Sequence, residues 1–177
     1  LKKYELKSPL ISNYTNLNSF VEFEKITEES SFSINFEVFE DLSKNDSDAF
    51  EYVYPNYFFS NNLDTNLDGS LSLSSSGYQK KYETSKYEAN IVNDLKYDSV
   101  NKVNKNGITN NYSLILKNIN SNGERSNNYG DETKEIFLTS LNFRSSLPLI
   151  KKDGDKERFI IPKLLASFSP TPTKNIK

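Results

Sequence analysis

The sequence predicts an all-β fold, an antiparallel up-and-down meander of about eight long strands. Several segments alternate apolar and polar residues with a period of two, and no segment shows a convincing helical period. The chain also contains twelve Phe and eleven Tyr, too many for a chain that buries nothing. The alternation is clearest over residues 85–97, which we take as the reference strand.

In the reference strand, successive side chains belong to two different sets. One set is mostly apolar: Tyr87, Ala89, Ile91, Asn93, Leu95 and Tyr97. The other set is mostly charged or amide: Glu88, Asn90, Val92, Asp94 and Lys96. Because side chains of a strand alternate between faces, one face would meet an apolar medium and the other water. For a membrane strand this predicts lipid-facing Tyr87, Ala89, Ile91, Leu95 and Tyr97, and lumen-facing Glu88, Asn90, Asp94 and Lys96.

The length of the reference strand allows two interpretations. Strands of soluble domains usually contain about 5–6 residues, whereas a tilted strand needs roughly 9–11 to cross a bilayer. Ten residues tilted by about 40° rise roughly 25 Å, the height of the apolar band of an outer-membrane barrel. Tyr87 and Tyr97 would then lie at the two interfaces. The alternative is a long hairpin strand of a soluble sandwich whose tyrosines cover the edge of a core.

The chain is predicted to form one domain in three parts. Residues 1–16 are a connection or weak edge strand, residues 17–168 the meander, and residues 169–177 a polar tail or loop. The other strands are predicted at Leu17 to Glu24, Phe32 to Val38, Phe50 to Ser60, Gly69 to Ser76, Ile108 to Lys117, Thr133 to Leu147 and about Arg158 to Phe168. Pro55 predicts a strand start, a bulge or an edge, because proline has no N–H for the ladder. The wholly polar loop Asn120 to Glu132 is expected to be mobile and solvated.

Composition excludes several functions. The chain has no Cys, His, Trp or Met, which leaves no thiol or imidazole catalysis, no disulfide and no ordinary zinc site. Carboxylate pairs such as Asp46 and Asp48 lie in predicted loops without a pocket that could make one of them an acid. We therefore expect neither an enzyme nor a cofactor. The net charge of -2 gives no indication of nucleic-acid binding, and the apolar runs are far too short for a transmembrane helix.

One motif suggests a metal. Residues Asp64 to Gly69 copy the start of a calcium loop, with oxygen ligands at the first, third and fifth positions and glycine at the sixth. The twelfth position, however, is Ser75 where such a loop needs glutamate, and the flanks are predicted strands rather than helices. We expect a polar turn and no metal. Because the sequence has neither an initiator Met nor a signal peptide, we also expect an internal fragment of a longer protein, although a mature secreted chain would also lack its signal.

Four stretches carry a family resemblance. They are Leu1-Lys2-Lys3-Tyr4 with the strand at Leu17; Phe50-Glu51-Tyr52-Val53-Tyr54-Pro55; Ile91-Val92-Asn93-Asp94-Leu95; and Phe143-Arg144-Ser145-Ser146-Leu147-Pro148-Leu149 with Ile161-Pro162 and Ser169-Pro170. In this order they resemble the central part of the barrel domain of the LptD family of lipopolysaccharide-assembly proteins, also called organic-solvent-tolerance proteins, of the alphaproteobacterial type.

The resemblance implies a segment of a larger β-barrel in the Gram-negative cell outer membrane, within the machinery that inserts lipopolysaccharide into the outer leaflet. The implied partners are lipopolysaccharide, a plugging outer-membrane lipoprotein of the LptE kind, and the periplasmic components of lipopolysaccharide transport. The family's gate strands and disulfide cysteines have no counterpart here, so no gate residue is assigned. Two alternatives stay open: a small complete eight-stranded outer-membrane barrel, and a soluble β-sandwich that acts as a binding or adhesion module.

Overall fold

The fold is one large antiparallel sheet in which consecutive strands are neighbours. The computed structural model describes residues 15–170, so most of the predicted 1–16 connection and residues 171–177 of the predicted tail lie outside the described residues. The main strands follow the order β1-β2-β3-β4-β5-β7-β8-β11. Their bounds are β1 Asn16–Ile26, β2 Ser30–Asp41, β3 Phe50–Leu63, β4 Gly69–Tyr82, β5 Lys86–Ser99, β7 Thr109–Glu124, β8 Lys134–Ser146 and β11 Lys163–Phe168. The predicted all-β meander of eight strands is confirmed.

Three minor strands and a single helical turn are the other elements of the described part of the chain. Strand β6, Lys102–Val103, pairs with the start of β7. Strands β9, Leu149–Asp153, and β10, Lys156–Ile160, form a separate hairpin. A 3₁₀ turn, Asp46–Ala49, precedes β3 in a segment predicted to be a loop. The sheet has two ends, which we name after the turns they contain: the 83–85 end, with connections 42–49 and 125–133, and the 64–68 end, with connections 27–29 and 100–108.

The strands are long, and the sheet is open. From β1 to β8 the main strands contain 11 to 16 residues, well above the roughly 5–6 of a typical soluble strand. Within residues 15–170, β1 and β11 each have a partner on one side only, so the sheet does not close into a barrel. This is the geometry expected of a segment of a larger sheet.

The structure corrects several predicted strand boundaries, among them the end of β4 and the extent of the last strand. Strand β4 continues from Ser76 to Tyr82, because Tyr78 and Lys80 pair directly with β5 although the sequence loses its short alternating pattern there. The predicted last strand, Arg158 to Phe168, is two strands, since Pro162 interrupts the ladder and only β11 returns to β8.

Pro55 lies at a bulge, one of the three positions predicted for it. On β2, Asn35 and Glu37 are two residues apart, whereas their partners on β3, Asn56 and Val53, are three apart. Strand β3 therefore carries one extra residue beside Pro55, and the same shift recurs against β4. A bulge leaves one residue out of the ladder. Proline has no N–H to donate, so at this position it costs no ladder hydrogen bond.

A single layer leaves the sheet without a conventional core. Ala49 is the one buried hydrophobic residue in the described part of the chain, while many large apolar side chains are exposed, for example Val21 at 72% and Phe137 at 63%. A soluble sandwich covers such side chains with a second sheet. Over residues 15–170 the second sheet is the two-stranded β9–β10 hairpin, which is too small to cover the eight main strands.

Candidate functional site

The two faces of the sheet differ in chemistry, and the strand register defines them. Tyr87, Ala89, Ile91, Leu95 and Tyr97 lie on one face, which we call the apolar face. Glu88, Asn90, Asp94 and Lys96 lie on the opposite, polar face. The alternation is thus present in the folded strand, and the assignment of these faces to lipid and lumen stays a prediction.

Neighbouring strands continue the apolar face. The ladder registers place aromatic and aliphatic side chains from every main strand on this face. They include Val21, Phe23, Ile34, Phe36, Val38, Tyr52, Tyr57, Leu73, Leu114, Leu116, Leu141, Phe143, Ala166 and Phe168. Aromatic contacts link some of them, such as Tyr97 with Tyr112 at 6.4 Å between ring centroids. The result is a surface rich in exposed or half-exposed apolar groups.

The apolar groups form a band that runs obliquely to the strands. A straight line of paired residues crosses the apolar face through Lys25, Phe32, Phe59, Ser75, Asn93, Asn118 and Phe137. On β1 the apolar stretch around Val21 lies four residues from this line toward the 83–85 end. On β7 the stretch around Leu114 lies four residues from it toward the 64–68 end. The band has therefore moved along the strands while crossing the sheet.

The displacement gives the angle of the band. Eight residues correspond to about 26 Å along the strands, and the five strand spacings from β1 to β7 to about 24 Å across them. The band thus makes an angle of about 45° with the strands. If the band lies in the membrane plane, the strands tilt by about 45° from the membrane normal, at the upper end of the roughly 35–45° tilt of strands in transmembrane barrels. A horizontal slab of lipid across tilted strands would require such an oblique band.

The polar face contains a buried carboxyl group near the 83–85 end. Glu88 is 1% exposed, and its Oε1 accepts three hydrogen bonds. Tyr82 Oη donates at 2.6 Å, Ser126 Oγ at 2.6 Å and Asn128 Nδ2 at 3.0 Å. Two of these donors belong to the connection between β7 and β8. Glu88 therefore fastens that connection onto the sheet.

This arrangement corrects the prediction that residues 120–132 form a mobile, solvated loop. Strand β7 extends to Glu124, and the segment that follows lies against the polar face. Tyr129 Oη accepts a hydrogen bond from Asn90 Nδ2 at 2.8 Å and lies 3.3 Å from Tyr78 Oη. The sequence of this loop contained no apolar pattern, so its docking through side-chain hydrogen bonds could not be recognised.

A cleft lies between the docked connection and the sheet. Its volume is about 600 Å³, which lies within the size range of small-molecule sites. Val92 and Ile119 supply apolar surface, and Asn90, Asn128 and Tyr129 supply amide and hydroxyl groups. The Oδ1 atom of Asn90 is buried and has no partner, so one acceptor at this cleft is unsatisfied.

Two ion pairs lie on the polar face. Lys117 Nζ on β7 lies 3.2 Å from Asp94 Oδ2 on β5, and within β5 Lys96 Nζ lies 2.6 Å from Asp98 Oδ2. Both pairs are partly exposed, so each contributes little to stability. At the 83–85 turn, the hydrogen bond from Lys86, followed by its charge, lowers the pKa of Glu83.

A chain of polar groups crosses the apolar face, and sequence reasoning missed it. Tyr57 Oη lies 3.1 Å from Ser75 Oγ, which donates to Asn93 Oδ1 at 2.7 Å. Asn93 Nδ2 then donates to Asn118 Oδ1 at 3.2 Å, and Asn118 Nδ2 to Glu135 Oε1 at 3.3 Å. These residues lie on consecutive strands. Because the strand pairing was not known, their alignment had no signal in the sequence.

The calcium-like segment is a turn between β3 and β4. Asp68 Oδ2 lies 3.0 Å from Lys102 Nζ, and the N–H of Leu67 donates to Thr65 Oγ1 at 3.1 Å. Over residues 15–170 no group of three or more acidic side chains is arranged to hold a metal ion. In the same range no helix is long and apolar enough to cross a membrane.

Comparison with known proteins adds no identification. The chain matches no protein-family model, no curated protein and no solved structure.

Proposed function

We propose that residues 16–168 form part of the wall of an outer-membrane β-barrel, with the apolar face toward lipid and the polar face toward the lumen. The observation that carries this proposal is the oblique apolar band, which shifts by eight residues between Val21 on β1 and Leu114 on β7. A soluble sheet needs no such shift, whereas tilted strands in a lipid slab do.

The open edges favour a larger barrel over a complete small one. An eight-stranded barrel would require β1 to pair with β11, whereas among residues 15–170 each of them pairs on one side only. The single layer also gives less support to a soluble sandwich, since the exposed side chains of the apolar face have no covering sheet among the described residues.

We further propose that this wall belongs to the machinery that inserts lipopolysaccharide into the outer leaflet. This part rests on the resemblance of four sequence stretches to the LptD family, including the strand opening at Phe50 and the Ser146-Leu147-Pro148 ending. The polar face offers groups that suit sugars or a plugging lipoprotein, with Asn90 and Tyr129 at its cleft.

Lipid exposure can be tested by cysteine scanning, because the chain contains no cysteine. Single variants Val21→Cys and Lys25→Cys on β1, and Leu114→Cys and Asn122→Cys on β7, would carry a fluorophore in the full chain reconstituted into bilayers with spin-labelled lipid. We expect strong quenching at Val21 and Leu114, and weak quenching at their matched controls on the same strands. Equal quenching at Leu114 and Asn122 would contradict the oblique band.

The role in lipopolysaccharide assembly needs a separate measurement. A photo-crosslinker at Lys96, on the polar face, should trap lipopolysaccharide in the full-length protein in cells, and the crosslink should disappear when lipopolysaccharide transport is stopped. A crosslinker at Ile91, on the apolar face, is the matched control, since contacts from resident outer-leaflet lipid would persist. The absence of a crosslink at Lys96 would contradict the role in lipopolysaccharide assembly. The proposal of a barrel wall would be unaffected, because the quenching experiment tests it separately.

A further inference from the structure

Two cations from neighbouring strands converge on the polar face near the 64–68 end. In the ladder between β8 and β11, Ser146 pairs with Lys163 and Arg144 pairs with Leu165. Since side chains two residues apart share a face, Arg144 and Lys163 lie diagonally across the ladder, about 7–8 Å apart at their backbones and within mutual reach of their long side chains. Like charges placed so close repel unless an anion lies between them.

Among the described residues, no carboxylate neutralises this pair. Within residues 15–170, neither Arg144 nor Lys163 forms an ion pair. The two cations line a cavity of about 560 Å³, in whose lining the one carboxylate is that of Asp98. Asp98 already pairs with Lys96, at 2.6 Å. The cavity therefore keeps two positive charges without a counterion.

Neutral donors complete the cavity. Thr109 pairs directly with Ser146 across the β7–β8 ladder, so two hydroxyl groups lie beside the two cations. Asn111 is held in place by donating to the carbonyl oxygen of Ser99 at 2.5 Å. A guanidinium fork, an ammonium group and two hydroxyls form a donor set that suits a tetrahedral oxyanion.

We infer that Arg144 and Lys163 form a binding site for a phosphate monoester. The phosphate group supplies the missing counterion, with Arg144 binding two of its oxygens and Lys163 a third. The cavity is larger than a single oxyanion requires, so it can also accommodate the body of an ester such as a sugar phosphate, with polar groups from Thr109 and Asn111 and apolar surface from Leu164 and Leu165. This inference goes beyond the proposed barrel wall and does not depend on it.

The test is a titration of the full chain in detergent micelles with glucose 1-phosphate, followed by ³¹P NMR. Arg144→Gln and Lys163→Gln should each weaken binding about tenfold, because each removes charge-assisted hydrogen bonds. Arg144→Lys should recover only part of the affinity, since ammonium lacks the planar fork. Lys151→Gln, which removes the same charge from the exposed β9–β10 hairpin, is the matched control and should bind like the unmodified chain.

Three results would overturn the inference. They are equal affinity of Arg144→Gln and Lys151→Gln, equal affinity for inorganic phosphate and the ester, and equal binding of glucose without phosphate. The first result would show that Arg144 is not part of a binding site. Either of the other two would show that the ligand is not a phosphate monoester. Circular dichroism of each variant checks that the sheet is intact, which is expected because both side chains are exposed.

Discussion

The ring of Tyr57 lies directly over Gly77 on the apolar face. A Cβ atom at position 77 would be 2.8 Å from Cε1 of Tyr57 and 2.7 Å from the carbonyl oxygen of Asn90. The glycine thus makes room for an aromatic ring from the next strand, and the ring covers backbone that glycine leaves bare. The hydroxyl of the same tyrosine reaches Ser75 and begins the polar chain.

Gly77→Ala should therefore destabilise the sheet by about 1–3 kcal/mol, because the added methyl group meets backbone as well as the ring. Denaturant unfolding of the full chain in micelles would measure the change in the free energy of unfolding. Gly130→Ala is the matched control, since a Cβ there meets nothing within 4 Å. Equal stability of the two variants would show that the close approach at Gly77 is not real.

Glu88→Ala should release the connection between β7 and β8 from the polar face. The hydroxyls of Tyr82 and Ser126 and the amide of Asn128 would lose their acceptor, at a cost of about 1–3 kcal/mol. We expect a lower free energy of unfolding and faster hydrogen exchange at the amide of Tyr129. Glu22→Ala, on the exposed polar face of β1, should change neither quantity. Unchanged exchange at Tyr129 in Glu88→Ala would argue against the fastening role.

The alternating pattern was enough to predict the fold class, because the face that a side chain takes in a strand depends only on its position along that strand. The reference strand, predicted at 85–97, occupies Lys86–Ser99, and the hairpin after Leu17 was recognised from two such runs. The end of β4 was missed because Tyr78, Lys80 and Tyr82 gave no apolar alternation, and their place in the sheet follows from pairing with β3 on one side and β5 on the other.

The site was less accessible to sequence reasoning. Glu88 and Asn90 were placed together from their spacing, but their partners Ser126 and Tyr129 lie almost forty residues further along the chain. Their contact depends on how the β7–β8 connection folds back, which no local pattern records. The oblique band likewise requires the register of every ladder, so it emerges only after the strands are paired.

Ile91→Lys should impair barrel assembly more than Lys96→Ile in the full-length protein. A cation on the lipid face near the bilayer midplane costs about 2–4 kcal/mol, whereas an isoleucine on a wet polar face costs little. Both positions are on β5 and both side chains are exposed, which makes them a matched pair. The measurement is the fraction of folded protein recovered from outer membranes. Equal recovery would count against the assignment of the two faces.

The polar chain on the apolar face allows a prediction about lipid itself. Asn93 accepts a hydrogen bond from Ser75 and donates one to Asn118, so Asn93→Leu removes one hydrogen bond from each of these two neighbours. Ser75 keeps Tyr57 as a partner, and Asn118 keeps Asn120. In lipid, where no water replaces the two lost bonds, we expect a loss of about 1–3 kcal/mol in the free energy of unfolding.

The free energy of unfolding should be measured both in bilayers and in aqueous buffer with little detergent, where water reaches the apolar face. If the apolar face meets lipid, Asn93→Leu is less stable than the unmodified chain in bilayers, because nothing there replaces the two lost hydrogen bonds. If the face meets water, water molecules replace those bonds at Ser75 and Asn118, and the variant loses little stability. Equal stability of Asn93→Leu and the unmodified chain in bilayers would contradict the lipid assignment of the apolar face.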